Sequence, residues 1–516
     1  MSSLRSFLST LYTYTLGFLL SALSDGLYSV FGLINMVRWS SDIVKVRPVK
    51  PGLVDLTTRV MTGGKGEGRG GGKGGKGVTV NEWVEENVPS LKERFTPAAW
   101  LPNGHLQTLF SAAGDFTKVD KVHYVRTYLR LPDGGTLGID VTPEDHHKLA
   151  PDAPTVVVCH GLTGGSHESY VRNILGWVIK PKSEGGLGGR GVVVNFRGCA
   201  GVPVTSDQLY SAGTTMDLAL ALHHISARYP SSKLLGIGFS LGASVLARYL
   251  GEYGEDALLT SGVVLGCPWD LTAMSHKLEN DWFTARVYSS TLGKNVLRLF
   301  FRAYDKNPAL FDAVESPVAG YMDELKKLRK EAGSGTRLRG VDDVLTCKIG
   351  GPRGIGAWPF ESAAEYYAWA SPSNVLSGVK VPLFAINAFD DPVVDGLALP
   401  LAGMQASTHI YTAITRGGGH LGWFDGPLFG SPAKTKHRWI LKPVSEWFEA
   451  CARDLRSPGE DARAAVEVEE VDGWEWVREA RYKIPGVERV GWKVLREGEV
   501  VAGEEDEGEG GLVQGL

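Results

Sequence analysis

Cysteine is scarce in this chain and scattered. Cys159, Cys199, Cys267, Cys347 and Cys451 are the only five in 516 residues, and no two form a C-x-x-C pair. An odd number at wide spacing implies neither a zinc site nor a disulfide framework. No metal and no cofactor is therefore expected, and the thiols read as reduced residues of a cytosol-facing domain. A surplus of one charge is missing too: 54 Lys and Arg face 58 Asp and Glu, a net charge of -4. With no basic stripe interleaved with aromatics, a nucleic-acid partner is not expected. Internal repeats are lacking. The stretch Gly63 to Gly77, GGKGEGRGGGKGGKG, has no G-K-[ST] ending and no strand before it, so it does not read as a phosphate loop. It reads as a flexible linker, because glycine loses too much backbone entropy to order there.

Long apolar runs are almost lacking as well. Ser6 to Ser24 is free of charge but barely reaches the roughly 20 residues of a spanning helix. Gly26 to Val37 is shorter still. Arg38, Lys45, Arg47 and Lys50 follow these runs and only Arg5 precedes them, a bias that keeps the bulk of the chain in the cytosol if the segment spans. A membrane anchor or in-plane amphipathic helix is the expectation for residues 1–50, at the endoplasmic reticulum or a lipid droplet. A cleaved signal peptide lacks a clear small-x-small site; a buried soluble helix is the third reading. The expected layout is an anchor region at 1–50, the Gly/Lys linker at 51–81, a catalytic domain at 82–451 and a charged extension at 452–516. The extension carries Trp474, Trp476 and Trp492 and ends in the acidic run Glu504 to Glu509.

What is present is an alternation of apolar strands and helices. Val122 to Leu131 and Thr136 to Val141 flank Pro132-Asp133-Gly134-Gly135 and read as a hairpin. Thr155 to Cys159, Gly191 to Phe196, Leu234 to Phe239, Ser261 to Leu265, Pro382 to Ala388 and Thr408 to Thr415 are continuous apolar runs. Helical patterns lie between them, at Ser169 to Val178, Thr214 to Arg228, Leu241 to Gly251 and Lys434 to Cys451. This pattern predicts an α/β fold: a mostly parallel central sheet with helices on both faces. From Pro268 to Trp369 the strand pattern stops, and a helical cap insertion is expected at about 271–368. Leu299, Phe300 and Phe301 either line an apolar substrate pocket there or form the core of the cap itself.

Chemistry-bearing residues fall at the carboxyl ends of the strands, where sites of such sheets lie. Gly238-Phe239-Ser240-Leu241-Gly242 is a G-x-S-x-G between a strand and a helix, the context of a nucleophile elbow. A serine hydroxyl needs an adjacent base, and the chain order on this kind of sheet is serine, acid, histidine. His420, in Gly417-Gly418-Gly419-His420-Leu421-Gly422-Trp423, is the candidate base. Asp391 is the candidate acid, with Asp390 as the alternative. The loop His160-Gly161-Leu162-Thr163-Gly164-Gly165 is the candidate oxyanion loop. Its Leu162 N–H, with Thr163 as runner-up, joins the Leu241 N–H after the nucleophile. His160 and His167 read as structural, since the base should follow the acid in the chain.

Taken in order, several stretches resemble one group of α/β-hydrolases. They are Trp100-Leu101-Pro102-Asn103-Gly104-His105-Leu106-Gln107-Thr108, HGLTGG from His160, NFRGC from Asn195, Gly238 to Gly242, Glu365-Tyr366-Tyr367, Asp390-Asp391-Pro392 and Gly418 to Trp423. The group contains YheT-like hydrolases, membrane-anchored hydrolase-domain phospholipases and medium-chain fatty acid ethyl ester synthase/esterases. The match runs from about Trp100 to Phe448; Tyr210-Ser211-Ala212-Gly213 departs from the expected His after the Tyr. The resemblance implies the triad Ser240, Asp391 and His420. It also implies a serine hydrolase acting on acyl esters, a carboxylesterase or lipase, with acyl-CoA:alcohol acyl transfer as a second activity. The partners implied are an acyl ester or lipid, acyl-CoA with an alcohol, and a membrane surface through the N-terminus. A non-enzymatic lipid-binding scaffold and a serine peptidase are the alternatives. The role of the stretch around His105 stays open between pocket lining and packing.

Overall fold

The computed structural model describes residues 41–54, 56, 78–331, 336–354, 358–426, 437–456, 466–496 and 498–499. The apolar runs before residue 41, the linker Gly63 to Gly77 and the acidic run Glu504 to Glu509 lie outside them.

Fourteen strands are present among the described residues. β1 (Ser41–Asp42) pairs with β3 (Arg94–Phe95). The other twelve form one sheet. They are β2 (Val44–Val46), β4 (Val125–Arg130), β5 (Thr136–Thr142), β6 (Thr155–Cys159), β7 (Arg190–Asn195), β8 (Leu234–Phe239), β9 (Ser261–Leu265), β10 (Leu383–Ala388), β11 (Ile410–Thr415), β12 (Val468–Val471), β13 (Trp474–Val477) and β14 (Gly491–Leu495). Their spatial order is β12-β13-β14-β4-β5-β7-β6-β8-β9-β10-β11-β2. The stretch from β7 to β11 is parallel throughout. The flanking strands are antiparallel.

The parallel strands are apolar without interruption because both faces are covered. Val157 and Leu383 face one hydrophobic cluster; their chain neighbours Val156, Val158 and Phe384 face the other. This is the two-residue period of a strand with a core on each side. Helices α1 (Val80–Asn87), α3 (Ser169–Val178) and α10 (Leu441–Asp454) contribute to one cluster. Helices α4 (Met216–Arg228) and α5 (Leu241–Tyr253) contribute to the other. A further helix, α2 (Gly104–Ala113), precedes the sheet's central strands. The hairpin of β4 and β5 closes through the Leu131 N–H to the Gly135 carbonyl at 2.9 Å.

Both stretches that composition sets apart from the catalytic region supply strands. β2, within 1–50, adds to β11 at one edge. β12, β13 and β14, within 452–516, extend the other edge through β4. Trp492 of β14 is fully buried and meets His224 edge-on at 5.2 Å, and the Tyr482 hydroxyl lies 2.8 Å from that of Tyr249.

Between β9 and β10 the chain leaves the sheet for a helical cap. It is built on α6 (Leu271–Asn280), α7 (Ser290–Lys306), α8 (Met322–Lys330) and α9 (Ala363–Ala370), with π-helical turns at Ala285–Ser289 and Asp342–Thr346. Phe300 packs on Phe301 and Phe311 with centroids 5.2 and 5.0 Å apart, inside the cap. All five cysteines are free and buried.

Candidate active site

The turn from β8 into α5 fixes Ser240. Its φ of 51° and ψ of -118° are costly for a residue with a side chain. They persist because the surroundings leave no alternative: the Ser240 N–H is held by the Leu265 carbonyl at 2.9 Å, and α5 starts at once behind it. Gly242 is required for close approach. A Cβ there would lie 2.2 Å from the Cys159 carbonyl oxygen. The result is a hydroxyl at the strand end, over the positive pole of a helix.

His420 arrives on a wound loop after β11. Leu421 and Trp423 both have positive φ, at 58° and 47°, and the Trp423 indole N–H donates to Thr415 Oγ1 at 2.9 Å. The imidazole bridges two partners: Nε2 is 2.7 Å from Ser240 Oγ, and Nδ1 is 2.7 Å from Asp391 Oδ2. The consistent proton assignment has Nδ1–H donating to the carboxylate and Nε2 accepting from the serine hydroxyl. Asp391 is fully buried. Its other oxygen, Oδ1, accepts from the Val393 and Val394 N–H groups at 2.8 and 2.9 Å, which fixes the carboxylate plane. Lys277 of the cap donates to the Asp391 carbonyl at 2.8 Å.

Asp390, the alternative acid, points elsewhere. Its Oδ1 accepts from the Gly419 N–H at 2.9 Å, so it holds the loop that carries His420 rather than the imidazole. Burial pushes this carboxyl up to about 7, against the Gly419 N–H that lowers it.

The candidate oxyanion donors separate cleanly. The Thr163 N–H donates to the Tyr210 hydroxyl at 2.7 Å and is thereby occupied. The Leu162 and Leu241 N–H groups have no protein acceptor among the described residues, and both residues border the cavity beside Ser240. His160 is structural in its contacts: one ring nitrogen donates to the Gly161 carbonyl at 2.7 Å and the other accepts from the Phe196 N–H at 3.2 Å. Burial pushes it down to about 4, so it stays neutral. Arg197 of the NFRGC stretch is buried and paired with Asp217 and Asp133, which pins the neighbouring loop.

Trp100 to Thr108 has a physical role that sequence reasoning left open. Asn103 caps α2 through the Leu106 N–H at 3.0 Å. One turn on, Thr108 Oγ1 accepts from the His420 backbone N–H at 2.8 Å and donates to the Gly104 carbonyl at 2.7 Å. Gln107 exchanges hydrogen bonds with the Phe424 backbone in both directions, at 2.7 and 3.0 Å. Gly104 lies so close to the acid loop that a Cβ would fall 1.9 Å from the Asp390 carbonyl oxygen. His105 stacks on Tyr288 and lies 2.9 Å from its hydroxyl, so it ties α2 to the cap. The helix is a clamp on the His420 loop. A Thr one turn after an Asn cap is the only local signal of it, and that signal is common.

A cavity, partly continuous with solvent, lies between Ser240 and the cap. Leu271, Met274, Leu292, Val296 and Leu299 make most of its cap wall apolar. Of the three cap residues singled out in the sequence, Leu299 lines the cavity, whereas Phe300 and Phe301 pack inside the cap. Among the described residues no group of His, Cys, Asp and Glu is arranged to hold a metal ion.

Comparison with known proteins agrees with this architecture. Residues 154–305 match the alpha/beta hydrolase fold family. The chain is 30% identical over 430 residues to medium-chain fatty acid ethyl ester synthase/esterase 2 of Saccharomyces cerevisiae, covering 72% of this chain and 89% of that protein. It is 28% identical over 415 residues to the monoacylglycerol lipase of the same organism, covering 72% and 85%. Human phospholipase ABHD3 is 27% identical over 355 residues, covering 68% and 78%. On this likeness and this fold, the chain belongs to the α/β-hydrolase family that contains these lipases and esterases.

Proposed function

We propose that the chain is a serine hydrolase of acyl esters, with Ser240 as nucleophile, His420 as general base and Asp391 as the orienting acid. One observation carries the reading: a single imidazole lies within hydrogen-bond reach of both the serine hydroxyl and a buried carboxylate. Ser240 Oγ attacks the ester carbonyl while His420 Nε2 takes its proton. The oxyanion forms against the Leu162 and Leu241 N–H groups, each of which contributes on the order of 10²–10³ in rate. His420 then returns the proton to the departing alkoxide, leaving an acyl-Ser240. Asp391 keeps the imidazole in the required tautomer and stabilises the imidazolium. Water, activated by the same His420, releases the carboxylic acid. An alcohol resolving the same acyl-enzyme yields an ester instead. That synthetic direction, with acyl-CoA as acyl donor, fits the apolar cavity and is the second activity of the reading.

A fluorophosphonate probe tests the core of it, because it reacts only with an activated serine. Wild type should be labelled and should release p-nitrophenol from medium-chain p-nitrophenyl esters. Ser240→Ala should do neither, and labelling that persists in Ser240→Ala sinks the assignment.

Within residues 1–50, the two apolar runs before residue 41 are proposed to hold the enzyme on a membrane with the site facing the cytosol, since residues 44–46 are a strand of the sheet. The support is the pair of apolar runs followed by Arg38, Lys45, Arg47 and Lys50. Among the described residues, no helix is long and apolar enough to cross a membrane. Sedimentation of the full chain with membranes, lost when the two apolar runs are deleted, is the expected result.

A further inference from the structure

The cavity beside Ser240 is apolar over most of its cap wall, yet one carboxylate lines it. Asp342 is 5% exposed and begins the π-helical turn Asp342–Thr346. Such widened turns are rare and occur frequently at functional sites. Oδ2 of Asp342 accepts from the Tyr367 hydroxyl at 2.6 Å, and Oδ1 accepts from the Thr346 hydroxyl. Both of those residues line the same cavity. A carboxylate offers about four acceptor sites, and these two hydroxyls occupy one on each oxygen. Burial pushes the Asp342 carboxyl up to about 6, the two hydroxyls lower it, and Asp343 and Glu279 add to the rise.

An acid placed against an apolar wall is costly unless its acceptors are used. The mechanism above leaves it unemployed. A neutral donor suits the place better than a cation, since the surrounding leucines, valines and methionine offer a second charge no solvation.

We propose that Asp342, oriented by Tyr367 and Thr346, is a specificity-determining residue that accepts a hydrogen bond from a hydroxyl group carried by the ester substrate away from its scissile carbonyl. The proposal rests on the ester-hydrolase reading and narrows its substrate class to hydroxyl-bearing esters. The hydroxyl belongs either to a polyol alcohol, as in a monoglyceride, or to the acyl chain.

Three esters of one chain length separate these sources: the monoglyceride of decanoic acid, ethyl ω-hydroxydecanoate and plain ethyl decanoate. With the purified full chain, one of the two hydroxylated esters should exceed ethyl decanoate in kcat/KM by roughly tenfold or more, the usual worth of a hydrogen bond to a charged group. Whichever it is identifies the side that carries the hydroxyl. Asp342→Asn should shrink that ratio by roughly tenfold, with the change mostly in KM. Thr346→Val is a second variant that loosens the carboxylate without removing it, and it should shrink the ratio by less. Equal kcat/KM for all three esters in wild type overturns the proposal without needing a variant. So does an Asp342→Asn protein that slows every ester by the same factor, which would mark a purely structural acid. Failure to hydrolyse any ester would sink the underlying ester reading as well, and labelling of Ser240 by the fluorophosphonate tells the two failures apart.

Discussion

At the scale of single residues, two neighbouring aspartates do different work. Asp391 spends Oδ1 on its own turn and Oδ2 on His420, while Asp390 supports the loop through the Gly419 N–H. Asp391→Asn should therefore cost about 10⁴ in kcat, as expected when the histidine is left in the wrong tautomer. Asp390→Asn keeps an acceptor for Gly419 and should stay within about tenfold of wild type. Steady-state kinetics on one p-nitrophenyl ester compare the two, and equal losses would refute the division. Asp390 also makes a stability prediction. Its folded pKa lies above the ordinary carboxylate value. The native state therefore binds this proton more tightly than the unfolded chain does. The stability this confers is complete below about pH 4 and is lost as pH rises through about 7. Asp390→Asn lacks that loss, so its melting temperature relative to wild type should climb from pH 4 to pH 8. A difference that stays flat over this range would count against it. Thr108 acts through His420 rather than on substrate. Thr108→Val leaves a buried N–H without its acceptor, a penalty of about 1–3 kcal/mol. A tenfold or larger fall in kcat at nearly constant KM is expected, with recovery in Thr108→Ser.

At the scale of elements, the packing of α2 against the acid loop is the most sensitive joint. Gly104→Ala puts a methyl group against the Asp390 carbonyl, so helix and loop must separate. Activity should fall further than in Thr108→Val, and the circular dichroism spectrum should stay native-like. The elements themselves were largely readable. Both-sided burial leaves continuous apolar runs such as Thr155 to Cys159, and these register as strands whatever their partners. Ser240 and His420 were readable because each sits among glycines its own turn demands. Thr108 was not: it meets His420 across 312 positions, and no local periodicity encodes a tertiary contact. Nor were the π-helical turns, since one extra residue per turn perturbs a short apolar pattern too little to see. The strands of the C-terminal stretch were hidden by composition. Glu469 and Glu470 lie on β12, the outermost strand, and stay partly or fully exposed, so the charge that reads as an extension is the solvated side of added strands.

At the scale of the whole molecule, that added edge gives a further test. Ending the chain after Arg456 removes Trp492 from His224, Tyr482 from Tyr249 and Glu475 from Arg228. One fully buried large side chain contributes about 1.5–3 kcal/mol, so the truncated protein should melt several degrees lower. It should also scatter light on standing, because β4 becomes an open edge. A truncated chain that melts with wild type and stays monodisperse would show that β12, β13 and β14 are dispensable.

The five buried thiols have a consequence of a different kind. Burial pushes Cys159 up to about 12 and raises Cys267, Cys347 and Cys451 as well, and only a thiolate reacts readily. The native thiols should therefore be shielded from maleimides, so that tagging follows opening of the fold. Each covalent tag is a permanent record of one excursion from the native state, so the chain carries its own tally of how often it comes apart.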